Sequence, residues 1–233
     1  MALYAMGDLH LSFTAGKPMD IFGSIWKDHV KKIEKHWKRT VKPQDTIVLT
    51  GDHSWGSNLT ACEADLAFIR SLPGRKILLR GNHDKFWNAK KTGRLNERFA
   101  GELYFLQNNY YAYEDYALVG SKGYCYEGND TLEHYEKIMM REQERLEKSF
   151  ALAKADGYKK FIMFLHYPPT SIGEEDSIFT RMAEQYGVSN VVYSHCHGED
   201  RWQDSFLGMV NGVRYELVSS DYLRFRPKLI LHT

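Results

Sequence analysis

The sequence predicts an α/β protein, and two observations support that class. Short apolar runs, partly β-branched, alternate with stretches in which apolar residues recur at helical spacing, a pattern typical of strands joined by helical crossovers. Several of the apolar runs end directly in glycine or in polar residues such as Asp, Asn and His. Because the carboxyl ends of parallel strands meet at one edge of a sheet, these polar residues are expected to converge there.

The first third of the chain predicts the element order β-α-β-α-β. Ser24 is a candidate N-cap for the first helix, whose apolar stripe extends to Trp37. The second helical pattern covers residues 59–72 and stops at a Pro-Gly pair. The three strands are expected at residues 3–6, 46–50 and 76–79.

The rest of the chain predicts a long helix, a hairpin and seven more strands. Asp130 or Asn129 is expected to begin the helix, whose amphipathic pattern extends to Phe150. Asn211-Gly212 is the strongest hairpin signal in the chain, because both residues readily adopt the positive φ of a tight turn. The strands are expected at residues 103–106, 110–113, 116–119, 161–165, 190–193, 206–210 and 214–218.

Composition restricts the class of protein. The chain has 31 Lys and Arg against 30 Asp and Glu, a formal charge of +1, which gives no field to steer a polyanion and disfavours dedicated nucleic-acid binding. Its three widely spaced cysteines contain no Cys-x-x-Cys pair, as is typical of a reducing compartment. No basic leader precedes an apolar run, and no run approaches the roughly 20 residues that cross a bilayer. We therefore expect a cytoplasmic protein without a membrane segment, formed by one domain over residues 1–233.

Five short motifs lie at the ends of predicted strands, and they consist of oxygen and nitrogen donors that suit divalent cations. A carboxylate has two oxygens and can bind two cations, and two metals about 3.5 to 4 Å apart can clamp a phosphoryl group. The motifs therefore predict a metal site. They are Asp8-Leu9-His10, Gly51-Asp52, Gly81-Asn82-His83-Asp84, His166 and His195-Cys196-His197.

In this order, the motifs resemble those of the calcineurin-like metallophosphoesterase superfamily, and most closely its bacterial predicted phosphohydrolases. The resemblance covers residues 8–197. It implies a four-layer α/β/β/α sandwich with two mixed β-sheets flanked by helices. It also implies hydrolysis of a small phosphomonoester or phosphodiester by water or hydroxide that two divalent ions activate. Those ions would be Mn, Fe, Zn or Ni, with Mn expected in vitro.

The resemblance assigns roles to ten residues. One metal would be held by Asp8, His10, Asp52 and His197, and the other by Asp52, Asn82, His166 and His195, so that Asp52 bridges them. His83 would donate a proton or hydrogen bond to the phosphate or leaving-group oxygen, and Asp84 would hold its ring. The residues expected to bind substrate are Asn82, His83 and Arg80.

The chain departs from the family pattern at one position. Ser194 stands where the family has glycine before its first histidine. Cys196 fills the variable position between His195 and His197, and its side chain is expected to point away from both. His53 is expected behind the ligands or at the surface rather than on a metal.

Three other functions compete with a small-molecule phosphoesterase. Arg80 stands directly before Gly81-Asn82-His83-Asp84, and the resembling stretch of serine/threonine protein phosphatases has an arginine at the same place. The Asp-Arg-Gly of that branch is absent after Gly51-Asp52. A nuclease could use the basic residues of segment 85–98 to bind phosphates. A catalytically inactive scaffold typically lacks ligands or the catalytic histidine, and here all are present.

Several aromatic residues could form a substrate rim or simply pack: Trp55, Trp87, Tyr110, Tyr111, Tyr124 and Tyr126.

Overall fold

The computed structural model describes residues 1–128 and 130–233, and its first β-sheet is built mainly from the opening part of the chain. β1 to β4 run parallel in that order, and β11 pairs antiparallel with β1 at the edge. The strands are β1 (Ala2–Met6), β2 (Thr46–Leu49), β3 (Arg75–Leu79), β4 (Leu103–Leu106) and β11 (Lys228–His232).

The second sheet has six strands in the order β5-β6-β7-β8-β10-β9. Its four central strands are parallel and its two edge strands antiparallel. Asn211 and Gly212 have φ values of 48° and 81° between β9 and β10, which confirms the hairpin. The strands are β5 (Tyr110–Tyr113), β6 (Tyr116–Ser121), β7 (Lys160–Leu165), β8 (Val188–Tyr193), β9 (Gly208–Val210) and β10 (Val213–Leu217).

Helices cover the outer faces of both sheets. The buried side chains of α1, α2 and α3 form one core with the first sheet, and those of α4 and α5 form a second core with the other sheet. The helices are α1 (His29–Thr40), α2 (Glu63–Ser71), α3 (Thr92–Arg98), α4 (Leu132–Ala155), α5 (Ile178–Gln185) and α6 (Glu199–Gln203). In the described ranges, no helix combines the length and apolar composition needed to cross a membrane.

A third apolar core joins the two sheets face to face. Leu3, Val48 and Ile77 of the first sheet share this core with Ile162 and Phe164 of the second, and all five are fully buried. Burial of a large apolar side chain contributes about 1.5 to 3 kcal/mol, so this layer is a main source of stability. The four-layer sandwich of two mixed sheets is thus confirmed.

Three predicted helix starts differ from the structure. Ser24 opens a short 3-10 helix, and α1 begins only after Asp28, whose φ of 53° interrupts the helix. α2 begins four residues later than expected. α4 is capped by Thr131, whose hydroxyl accepts the His134 N–H at 3.3 Å, rather than by Asp130. The alternative cap, Asn129, lies outside the described residues.

Candidate metal centre

The predicted ligands gather where strands of both sheets end. Asp8 and His10 follow β1, and Asp52 follows β2. From the second sheet, His166 follows β7 directly and His195 lies two residues beyond β8. The Asp8 carboxylate accepts the backbone N–H of His195 at 2.9 Å, a contact that ties the two sheets together at this edge.

Several ligand residues have an unusual backbone conformation. Asp8, His10, Asp52 and His195 have φ values of 57°, 44°, 53° and 72°, in the left-handed region that side chains other than glycine avoid. Backbone hydrogen bonds stabilise these turns. The Asp8 N–H donates to the Gly51 carbonyl and the His10 N–H to the Asp52 carbonyl, both at 2.9 Å. Such conformations cost on the order of 1 kcal/mol or more each and are concentrated at functional sites.

The side chains form two groups of candidate metal ligands. Asp8, His10 and His197 form the first group, and Asp52, His166 and His195 form the second; within each group the ligand atoms lie within 4.8 Å of one another. Asp52 Oδ2 lies 3.9 Å from His10 Nε2 and 3.6 Å from His166 Nε2, so this carboxylate stands between the groups.

Several acceptor atoms of these side chains face one another or have no hydrogen-bond donor, and bound cations would satisfy them. His166 Nδ1 donates to the Thr50 carbonyl at 3.0 Å, which leaves a lone pair on Nε2 facing Asn82 Oδ1 at 2.6 Å. Two acceptors at that distance are stabilised by a cation that both can bind. Among the described residues, the buried Asp8 Oδ1 has no hydrogen-bond partner at all. The chemistry of this site therefore suits divalent ions, and Asn82 belongs with the second group.

Burial gives the acidic and imidazole groups unusual protonation properties. It raises the pKa of Asp8, and burial together with the carboxylates of Asp84 and Asp8 raises the pKa of Asp52 well above its usual value. Burial lowers the pKa of His10 and His166 well below the ordinary range. Buried carboxylates that repel one another, beside neutral imidazoles, are stabilised by bound cations.

Two carboxylates that the sequence reasoning missed orient the last two histidines. Asp221 Oδ1 lies 3.0 Å from His197 Nδ1, and Glu127 Oε1 lies 2.9 Å from His195 Nε2. Burial alone would lower the pKa of His197, but Asp8 and Asp221 raise it to about 9. Partners of this kind fix the ring orientation of metal-binding histidines. Asp221 lies shortly after the end of β10, as the candidate ligands lie after their strands, and this position is a signal in the sequence that could have identified it.

Asp84 does not hold the His83 ring, which corrects the role implied for it. Its buried carboxylate accepts backbone N–H groups of Asp52, His53 and Gly81 at 2.8 to 2.9 Å, and it pairs with His53 Nδ1 at 2.9 Å. Burial would raise the pKa of Asp84, but these partners lower it. The carboxylate turns inward because three backbone donors need an acceptor there, and His53 lies behind the ligands as expected.

His83 is the most accessible of the predicted catalytic groups. Its Nε2 lies 4.0 Å from Asp52 Oδ2, and its side chain is 37% exposed. Burial and the nearby Lys85 and Lys17 lower its pKa to about 4. The Trp55 ring lies 4.3 Å from the His83 ring and stacks on the His10 ring at 4.8 Å. Trp55 therefore contacts both the candidate catalytic residue His83 and the candidate ligand His10.

Arg80, which the sequence assigns to substrate binding, is half-buried. Its guanidinium is attracted towards Glu142 of α4, and its Nε makes a long 3.5 Å contact with the Gly81 carbonyl. Burial lowers its pKa. Arg80 is not among the residues that line the cleft over the candidate ligands, and its role in substrate binding stays a prediction.

Ser194, the one departure from the family motif, and the neighbouring Cys196 leave the candidate ligands in place. Ser194 is fully buried, and its hydroxyl donates to the Thr50 carbonyl at 3.0 Å. Gly7 makes room for it, because a Cβ at Gly7 would lie 2.4 Å from the Ser194 hydroxyl. Cys196 packs against the core of the second sheet and belongs to neither ligand group.

A cleft of about 690 Å³ opens over the ligands. His10, Asp52, His83, His195 and His197 line its floor, and an aromatic wall rises from Trp55, Phe22 and Trp26. Of the six aromatic residues considered for a substrate rim, Trp55 lines this cleft. Trp87 is buried in the core against Phe105, and Tyr124 and Tyr126 line a separate groove.

The fold and the grouped ligands define an α/β/β/α protein with a candidate metal centre at its strand ends. The family model described as calcineurin-like phosphoesterase matches residues 1–199. The chain therefore belongs to the calcineurin-like phosphoesterase family, and this confirms the resemblance seen in its motifs.

Two solved structures share the fold at low sequence identity. Phosphopantetheinyl hydrolase (PptH) from Mycobacterium tuberculosis is 14% identical, with a TM-score of 0.61 and coverage of 100% of this chain and 96% of that one. The protein of unknown function AQ665 from Aquifex aeolicus is 15% identical, with a TM-score of 0.53 and coverage of 98% and 95%.

One curated relative matches a smaller part of the chain. The gene 66 protein of Mycobacterium phage L5 is 34% identical over 77 residues, which are 33% of this chain and 37% of the phage protein. The match thus spans little more than a third of that relative.

Proposed function

We propose that this protein is a metal-dependent phosphoesterase that acts on a small phosphomonoester or phosphodiester. The observation that carries the proposal is the pair of ligand groups on either side of the Asp52 carboxylate, at the floor of an open cleft. Two bound divalent ions would supply a water of lowered pKa as nucleophile and neutralise the phosphoryl oxygens. We propose Mn²⁺ as the ion that supports activity in vitro.

The residues of the chain would bind the ions and position the substrate. Asp52 would bridge the ions, with Asp8, His10 and His197 on one side and Asn82, His166 and His195 on the other. His83 stands at the cleft surface, where its ring can donate a hydrogen bond to a phosphoryl or leaving-group oxygen. The Trp55 ring limits how far His83 can swing.

The positions of the basic residues disfavour a nuclease or protein phosphatase. The basic segment 85–98 forms the loop after Asp84 and α3, and none of its residues lines the cleft. One of its members, Arg98, pairs with Glu63 at 3.3 Å. The arginine of the protein phosphatase branch has no counterpart after Gly51-Asp52. A small phosphoester therefore fits the cleft better than a polymer does.

The test is turnover of p-nitrophenyl phosphate and bis(p-nitrophenyl) phosphate by purified protein with and without Mn²⁺. Activity that depends on the metal and disappears in Asp52→Asn is the expected result. Tight binding of two Mn²⁺ per chain without turnover of any phosphoester in a broad panel would instead indicate the inactive scaffold. The ratio of the two rates would show whether monoesters or diesters are preferred.

A further inference from the structure

One wall of the cleft is formed by the segment that links the first ligand pair to α1. This segment supplies Lys17, Met19, Phe22, Ile25 and Trp26 to the lining. Four of these five side chains are apolar, and Phe22 is 55% exposed although it is aromatic. An exposed aromatic side chain at the mouth of a cleft is typical of a surface that receives a ligand.

Lys17 is the one lysine or arginine that lines this cleft in the described part of the chain. Its ammonium lies 3.2 Å from the centroid of the Trp55 ring and 5.5 Å from that of Phe22. Its backbone N–H donates to the Ser12 hydroxyl at 2.6 Å, which anchors the residue. No hydrogen bond or ion pair engages the ammonium anywhere in residues 1–128 and 130–233.

The ammonium is placed close to where the chemistry is proposed. The Trp55 ring that carries it contacts the rings of both His83 and His10, at 4.3 and 4.8 Å. A cation held on an aromatic face beside a metal centre, without a carboxylate partner, is suited to an anionic ligand. A phosphoryl group on the cleft floor would supply that anion.

We propose that Lys17 binds a non-bridging phosphoryl oxygen of the substrate, and that Phe22 and its apolar neighbours receive an aromatic ring carried by the substrate. This inference rests on the proposed phosphoesterase function, because it assumes that the phosphoryl group lies over the ligands. The substrate is then an aryl-bearing phosphoester.

The first experiment measures binding and therefore does not depend on turnover. Inorganic phosphate is titrated into Mn²⁺-loaded protein by calorimetry, in the native chain, Lys17→Met and Lys31→Met. Lys31 is 83% exposed on α1 and serves as the matched control. Loss of a charge-assisted hydrogen bond should weaken phosphate binding about 10- to 100-fold in Lys17→Met. The control should match the native chain, and Lys17→Arg should recover part of the loss.

The second experiment tests the aromatic subsite with benzylphosphonate and methylphosphonate, which cannot be hydrolysed. Burial of the phenyl ring should make benzylphosphonate bind about 10-fold more tightly. Phe22→Ala should reduce that preference, whereas Phe13→Ala should not, because Phe13 is equally exposed at 53% but lies outside the cleft lining.

Each proposal can fail separately in these measurements. Equal phosphate affinity in Lys17→Met and the native chain would overturn the role of Lys17, and equal affinity for the two phosphonates would overturn the aromatic subsite. Phosphonate binding as expected without turnover of any phosphoester would contradict the proposed function alone. Metal content, measured in every variant, must stay at the native value, since a lost metal would make Lys17 a support of the ligands and overturn its assignment to the phosphoryl group.

Discussion

At the scale of single residues, His83 is the sharpest test of the proposed chemistry. It lies outside both ligand groups, yet its ring stands beside the Asp52 carboxylate. We expect His83→Ala to keep its metals and lower kcat about 10²- to 10⁴-fold, because it removes a proton or hydrogen-bond donor and leaves the ligands intact. Steady-state kinetics beside elemental analysis checks this. An unchanged kcat would remove His83 from the reaction.

Replacement of Asp84 is expected to lower the free energy of unfolding, because its carboxylate has a structural role. Asp84→Asn leaves backbone donors and His53 without their buried carboxylate, and breaking a buried pair of this kind costs about 3 to 5 kcal/mol. Urea unfolding of the metal-free protein measures the change. Asp115→Asn is the control, because its pair with Lys160 is exposed to solvent and should contribute little to stability. Native stability with lost turnover would return Asp84 to a direct catalytic role.

The sequence predicts that the candidate ligands gather at one edge because each of them follows an apolar strand within a short, recognisable motif. It does not predict Glu127 or the turning of Asp84 towards His53, because those contacts join residues that only the folded loops bring together. The same holds for Lys17, which lies in a segment without a motif and acquires its position from Trp55.

At the scale of elements, the cap of α4 is a local feature that can be tested in isolation. Thr131→Ala removes the hydroxyl that accepts the His134 N–H, and loss of such a cap costs about 1 kcal/mol. Chemical denaturation should show that loss, and Thr131→Ser should restore most of it. If the alanine variant is as stable as the native chain, Asp130 or solvent satisfies the helix terminus instead.

Most strands that the sequence predicts are buried apolar runs, whose composition alone indicates their type, whereas β5 and β9 are partly exposed and lie beside predicted turns. β11 was missed because its residues are only partly buried at a sheet edge, and the antiparallel pairing with β1 depends on a partner some 230 positions away. α3 and α5 were missed because helices of 7 and 8 residues give too short a periodic pattern to recognise.

At the scale of the whole molecule, metal binding should stabilise both sheets together, because each ligand group draws on both. At 100 times the dissociation constant, a bound ion adds about 2.7 kcal/mol. For a chain of this size, that should raise Tm by roughly 5 to 10 °C. Thermal unfolding followed by circular dichroism with Mn²⁺ or EDTA checks the shift. Asp52→Asn should show little of it, and an equal shift in that variant would mean that Mn²⁺ binds elsewhere.

The left-handed backbone at the ligand residues has a consequence for directed evolution. Because glycine adopts positive φ without strain, a change such as His195→Gly relieves a strained turn at a half-buried position. A random library selected only for heat resistance, in the presence of a chelator, should therefore accumulate substitutions at these positions. Sequencing of the survivors would reveal the metal centre as the part of the molecule that selection for stability alone erases.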